Sequence, residues 1–265
     1  MSRVELLVIG HTAPFPAPGL ACPGYLVSEG RTRILVDGGS GVLERLLAIC
    51  PGEELTAVLV SHFHFDHCSD LYVLRYALDA SRREGLRSEP LPIFSPPEPP
   101  ELAGLLAYRE ATRHVAVTPG ETVDVGGIRV RFLAASHTSP TLGMVLEGAA
   151  GKLAYSGDCR WGEGLGAAAQ SADLFLCEAT FQDGQEAAAA ATGHLTARQA
   201  AMAAGLAGVG RLLLTHLPAA ADRRVSLEQA QAEVDLPIAL AEAGRRYCLG
   251  SSASQEVPAC NYQIG

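Results

Sequence analysis

The stretch Ser61-His62-Phe63-His64-Phe65-Asp66-His67-Cys68-Ser69-Asp70 (SHFHFDHCSD) packs three imidazoles and a carboxylate into positions 62–67. It follows an apolar run (LTAVLV, 55–60) that predicts a short buried strand over 57–60. Side chains alternate along extended chain. His62 and His64 are therefore expected on one side, with Phe63 and Phe65 on the other, anchoring the loop to the core. Asp66 and His67 follow at the turn into a helix predicted over 70–78 from the spacing of Leu71, Leu74 and Leu78. One cation can sit on His62 and His64 and a second on Asp66 and His67. Neither pair fills the shell of about four ligands that zinc takes, so more donors must come from remote segments.

Three candidates stand at the ends of predicted strands: His137 in LAASHTSP, Asp158 in AYSGDCR and His216 in LLLTHL. A rigid sheet delivering donors from several strand ends is the scaffold such a site requires. Five of the eight histidines belong to this set.

Composition bounds the class. Hydrophobic residues make up 48% of 265, enough for a large core. The formal charge of −9 disfavours a long nucleic acid as partner, because phosphate backbones call for basic surface. Seven cysteines without a C-x-x-C spacing suggest neither a disulfide framework nor a zinc ribbon, and fit reduced thiols in a cytosol. The first residues (MSRVELLVIGHTAPFP) lack the apolar length of a signal segment, and no window approaches a membrane span. A cytoplasmic protein is expected.

Strands are predicted over 4–9, 25–28, 33–36, 91–94, 144–147, 153–155, 173–177 and 212–215, with a hairpin over 121–134 turning at Gly126-Gly127. Helices are predicted over 42–49, 196–207 and 227–234; the Ala-rich 186–191 is compatible with a helix or a lid, and a spacer is the favoured reading. Hairpins followed by helices occur in both halves, with no separating linker. One domain over 1–265 is expected, of α/β (α+β) class, with two mixed sheets packed together and helices outside.

The order His-x-His-x-Asp-His, then His137, then Asp158 in a Ser-Gly-Asp turn, then His216, resembles the metallo-β-lactamase superfamily, from Asp37 in the VDGG loop onward. The resemblance implies an αβ/βα four-layer sandwich with a dinuclear metal site between the sheets. By position, His62, His64 and His137 would take the first metal, and Asp66, His67 and His216 the second, with Asp158 bridging. Two divalent cations are implied, zinc first, with manganese or iron as alternatives.

Two further stretches are similar to motifs of the ribonuclease Z branch: Glu178 in LCEATF, and His194 in GHLTARQAA, with Leu195 where Ser is usual. There the histidine, steadied by the glutamate, serves as acid or phosphate binder, so Asp66, Glu178 and His194 are the catalytic candidates. Only 21 residues lead from His137 to Asp158, too few for the long arm with which ribonuclease Z grips transfer RNA. The pattern is instead similar to compact bacterial phosphodiesterases, some acting on cyclic nucleotides. The expected function is hydrolysis of a small phosphodiester. The alternatives are a ribonuclease-Z-like nuclease, a thioesterase or lactonase like glyoxalase II, and a non-enzymatic scaffold. A homodimer is compatible by analogy. Asp37 and Asp70 are expected either to support the imidazoles or to cap helices, Cys68 and Cys159 to pack, His114 to be structural, and His11 to lie exposed in a loop, with a substrate contact as the alternative.

Overall fold

The computed structural model describes residues 3–162, 165–166, 169–250 and the backbone of 256–257; Cys260 lies outside them. The strands are β1 (Glu5–Gly10), β2 (Thr12–Ala13), β3 (Gly24–Glu29), β4 (Thr32–Val36), β5 (Ala57–Leu59), β6 (Leu91–Ser95), β7 (Thr112–Ala116), β8 (Thr122–Val125), β9 (Ile128–Ala135), β10 (Thr141–Gly148), β11 (Gly151–Tyr155), β12 (Leu174–Glu178), β13 (Leu212–Thr215), β14 (Leu217–Pro218), β15 (Ile238–Leu240), β16 (Arg246–Cys248) and β17 (Glu256–Val257). The helices are α1 (Val42–Ile49), α2 (Phe65–Cys68), α3 (Leu71–Arg83), α4 (Pro100–Gly104), α5 (Glu186–Thr192), α6 (Ala197–Ala207) and α7 (Arg223–Glu233).

One sheet runs β17-β16-β1-β3-β4-β5-β6-β7 and the other β15-β13-β12-β11-β10-β9-β8. Both are mixed, each with an antiparallel part and a parallel part. Leu6, Val8, Tyr25, Ile34 and Leu59 of the first meet Val130, Phe132, Met144, Leu153 and Leu176 of the second in a layer between the sheets. The outer face of the first sheet is covered by α1, α3 and α4 through Val42, Leu46, Leu71, Leu74, Leu78 and Ala103. The outer face of the second is covered by α6 and α7, where Ala200, Ala201, Ala204 and Ala230 allow close approach. The result is the four-layer αβ/βα sandwich. Strands β5, β12 and β13 are buried at every position, because both their faces are covered. In β9 the pattern alternates: Ile128, Val130 and Phe132 point inward and Arg129 and Arg131 outward.

The hairpin at Gly126-Gly127 and helices α1, α3, α6 and α7 stand where expected. Thr196 caps α6 in a reciprocal box with Gln199. Two expectations are corrected. The Ala-rich stretch is a helix, α5, not a spacer; alanine favours helix, and Ala189 docks while most of its neighbours face solvent. Phe63 is buried as expected, but Phe65 is 66% exposed, because the chain turns into α2 at Phe65 and alternation stops there. Strand β7, edge-placed and polar (TRHVA), has no alternating apolar signature and was not foreseen.

The VDGG loop is stitched to the donor loop by backbone bonds: Gly38 N–H donates to His67 O (2.7 Å) and Asp70 N–H to Gly38 O (3.0 Å). A Cβ on Gly39 would lie 1.7 Å from the Asp66 carbonyl oxygen. Gly39→Ala is therefore expected to destabilise the fold by about 3 kcal/mol, read as a lowered urea midpoint; a midpoint equal to the parent's would show that the two loops are free to separate.

Candidate metal centre

Strands β4, β5, β9, β11, β12 and β13 all end at one edge of the sandwich. From those ends come Asp37, His62 with His64, His137, Asp158, Glu178 and His216. The seven residues expected to ligate metal are brought together. His62, His64, His137 and Asp158 offer donor atoms within 4.8 Å of one another, as do Asp66, His67 and His216. Asp158 Oδ2 lies 3.2 Å from His216 Nε2, 3.3 Å from His67 Nε2, 3.6 Å from His62 Nε2 and 3.9 Å from His137 Nε2, at the junction of the two groups. Asp66 Oδ2 is 3.3 Å from His216 Nε2 and 3.7 Å from His67 Nε2.

The far side of each ring decides what faces inward, and four imidazoles are pinned at Nδ1. His67 Nδ1 donates to Asp37 Oδ2 at 2.9 Å. Ser61 Oγ donates to the same carboxylate oxygen at 2.8 Å, which leaves its lone pair to accept from His62 Nδ1 at 3.0 Å. Thr180 Oγ1 donates to Glu178 Oε2 at 2.7 Å and accepts from His216 Nδ1 at 2.8 Å. His137 Nδ1 donates to the Gly193 carbonyl at 2.8 Å. Each ring is therefore held from outside through Nδ1 and turns its Nε2 toward Asp158. His64 is reversed: its Nδ1 faces the cluster, 3.2 Å from His137 Nε2. Such outer partners fix the tautomer and raise the basicity of an imidazole ligand.

This donor set fits divalent cations. His62 Nε2, His67 Nε2 and Asp158 Oδ1 are buried without a hydrogen-bond partner, an arrangement rare in folded proteins unless something else occupies the lone pairs. Burial pushes His62 well below the usual imidazole range and also lowers His64 and His137. Burial would raise Asp158, but the surrounding imidazoles of His216 and His67 outweigh it and hold the carboxyl well below its usual range. Neutral imidazoles and ionised carboxylates are the states in which these groups coordinate metal. His67 runs the other way: burial lowers it, yet Asp158 and Asp37 on its two sides raise it well above the usual range. Its Nε2 lies where a cation would compete with that proton. Asp37 and His216 both take left-handed backbone, φ 55 and 58, a conformation that costs non-glycine residues about 1 kcal/mol or more.

Beside this cluster, His194 Nδ1 donates to Glu178 Oε1 at 2.9 Å. Glu178 is itself held by Cys159 N–H (2.7 Å), Thr180 Oγ1 (2.7 Å) and Leu195 N–H (3.2 Å). The His194 ring stacks on His216 at 5.3 Å and shares a third donor group with Asp158 and His216. Burial lowers its pKa, but the bond to Glu178 and its charge prevail and the net shift is upward.

The two aspartates divide. Asp37 supports His67, whereas Asp70 caps a helix, accepting from Leu43 N–H of α1 at 2.9 Å. Cys68 and Cys159 are buried, and burial pushes the Cys68 thiol up to about 12, so it packs as a neutral group. His114 bonds Ser95 Oγ at 2.8 Å, away from the cluster. The six cysteines among the described residues are all free. Sequence reasoning missed Ser61, Tyr155 and Thr180. All three lie inside quoted motifs, Ser61 in SHFHFDHCSD, Tyr155 in AYSGDCR and Thr180 in LCEATF, where the neighbouring donors drew the reading.

His11 corrects an expectation: it is 2% exposed, because pairing of β2 with β14 folds its loop inward beside the segment that follows His216. Burial first, and the charge of Arg223 next, lower its pKa from 6.5 to about 4. A neutral His11 thus contributes stability that is present above pH 6.5 and lost as pH falls toward 4, roughly 3 kcal/mol. His11→Leu should flatten that part of the urea-stability profile; an unaltered acid limb would show that His11 titrates normally.

Tyr155 donates to Asp37 Oδ2 at 2.7 Å and is 3% exposed. Tyr155→Phe should weaken metal binding about 10–100-fold, the usual cost of removing an outer partner, measured by chelator competition. Undiminished affinity would show that Asp37 holds His67 without it.

A family model described as beta-lactamase superfamily domain matches residues 32–217. "Probable metallo-hydrolase YhfI" of Bacillus subtilis (strain 168) is 33% identical over 215 residues, 81% of this chain and 87% of that protein. Ribonuclease Z of Mycobacterium bovis (strain BCG / Pasteur 1173P2) is 30% identical over 247 residues, 80% of this chain and 85% of that protein. The crystal structure of YhfI superposes with a TM-score of 0.88 at 29% identity, covering 94% of this chain and all of the other. Human tRNase Z, short form, shares the fold, with a TM-score of 0.72 at 21% identity over 91% of this chain and 98% of that one. With a family model spanning most of the sequence and a His/Asp cluster at the expected strand ends, the chain belongs to the β-lactamase superfamily, as a metallo-hydrolase.

Proposed function

We propose that this metallo-hydrolase is a phosphodiesterase acting on small phosphodiesters such as cyclic nucleotides. In this reading His62, His64 and His137 hold one divalent cation, Asp66, His67 and His216 a second, and Asp158 both, with zinc the first choice of metal. The observation that carries the reading is His194, held by Glu178 against the Asp158 and His216 corner of the cluster. Cations bound there would supply Lewis acidity and a water acidic enough to attack at neutral pH.

The chain's own residues supply the proton. With Nδ1–H committed to Glu178, the opposite nitrogen of His194 is the one free to meet substrate. Three donors fix the Glu178 carboxylate, which in turn orients the His194 ring. His194 can then give its Nε2 proton to the departing alkoxide, a contribution of about 10²–10⁴-fold. Its side chain is 15% exposed, open enough for substrate yet shielded from bulk water.

A nuclease acting on RNA is the second reading, supported by the 30% identity to ribonuclease Z. Against it stand the net charge of −9 and the chain between His137 and Asp158, which holds only the β10–β11 hairpin. A thioesterase or lactonase would have less use for a histidine acid fixed in this way.

His194→Ala should keep its metal content and lose about 10²-fold or more in kcat on bis(p-nitrophenyl) phosphate; parent-like turnover would remove the acid role. Asp158→Ala should lose metal by elemental analysis, and two ions per chain in that variant would rule out the shared-ligand role. Faster hydrolysis of a thioester or lactone than of the phosphodiester by the metal-loaded parent would overturn the substrate class.

A further inference from the structure

Phenylalanine and tryptophan are scarce, seven and one in the chain. Phe63, Phe94, Phe132 and Phe175 are buried. Among the described residues, every exposed Phe or Trp stands on a segment that follows a strand end at the donor edge. Phe15 follows β1, Phe65 lies between His64 and Asp66, and Trp161 comes three residues after Asp158; they are 65%, 66% and 40% exposed. Phe181, partly buried, follows β12 with its ring 6.2 Å from that of His194.

Topology puts these loops at one mouth. Strands β1, β4 and β5 run the same way in the first sheet, as β11 and β12 do in the second, so their carboxyl ends open on the same edge. The Phe15 loop is tied there by β2, whose Thr12 pairs with Leu217, the residue after His216. The other large exposed apolar side chains lie elsewhere: Leu47, Val73, Tyr76, Met202 and Leu206 on outer helices, and Leu86 and Leu105 just past the ends of α3 and α4. Exposed apolar groups gathered around a polar site mark a binding surface.

We infer that Phe15, Phe65, Trp161 and Phe181 form an aromatic collar around the metal centre. It holds a flat, uncharged ring attached near the scissile phosphate, and the ligand is a mononucleotide. The inference rests on the phosphodiesterase reading and adds which part of the substrate is recognised, and by what. Every nucleobase offers a face for stacking, so such a collar grips bases without a hydrogen-bond code. A longer strand would need a basic track for its phosphates, and the net charge is −9.

Trp161 is the sole tryptophan, so its emission reports directly on the collar. The metal-loaded protein is titrated with adenosine 5′-monophosphate and with ribose 5-phosphate, which share sugar and phosphate and differ by the base. The nucleotide should quench Trp161 and bind about tenfold more tightly. Phe65→Ala, with metal content checked, should lose that preference while ribose 5-phosphate binds as before, and Phe65→Tyr should restore it. Equal affinities in the parent, or equal weakening of both ligands in Phe65→Ala, overturn the collar. Hydrolysis of bis(p-nitrophenyl) phosphate is run alongside. Turnover without base preference refutes the collar alone, whereas base preference without turnover refutes the phosphodiesterase reading and leaves the collar standing.

Discussion

The Asp37 carboxylate is the fixed point of this structure. It is fully buried, and it accepts from Ser61 N–H, Ser61 Oγ, His67 Nδ1 and Tyr155 OH, all between 2.7 and 2.9 Å. A buried charge left without partners would be strongly destabilising; four donors offset that cost. Three come from the donor loop and the fourth from β11 of the opposite sheet. One carboxylate therefore sets the entry angle of the histidine loop, the tautomer of His67 and the register of one sheet against the other. Through Ser61 it also orients His62.

Glu178 is its counterpart on the second sheet. It organises Thr180, which orients His216, and it holds His194 directly. Two carboxylates set back from the cluster thus fix four imidazoles in and beside it, those of His62, His67, His194 and His216. Neither carboxylate faces the space where the inward imidazole nitrogens and Asp158 converge. The inner groups can keep unsatisfied lone pairs because the outer groups are saturated, which lets a site be both buried and prepared to receive cations.

The aromatic rings at the mouth belong to another layer of the same design. The strand ends that carry the donors also carry Phe65 and Trp161, so polar centre and apolar rim share a scaffold. Among the described residues the phenylalanine and tryptophan rings are either packed in the layers or placed at this edge, which distinguishes it from the rest of the surface.

The sequence by itself determined the sandwich and most of its elements, because periodic apolar spacing in α1, α3 and α6 and buried runs in β5 and β13 are local properties. It also named the donors, since His-x-His-x-Asp-His and the strand-end His137, Asp158 and His216 are legible as residue types. It misread Phe65, the 186–192 helix and the depth of His11, where a turn, a docking alanine and a two-residue strand pairing override local pattern. Only the tertiary structure decided which nitrogen of each imidazole faces inward, that Asp37 supports a histidine while Asp70 caps a helix, and that Tyr155 reaches across from the other sheet. Those facts depend on hydrogen bonds between residues as far as 118 positions apart, and no local pattern encodes which distant partner a side chain will meet.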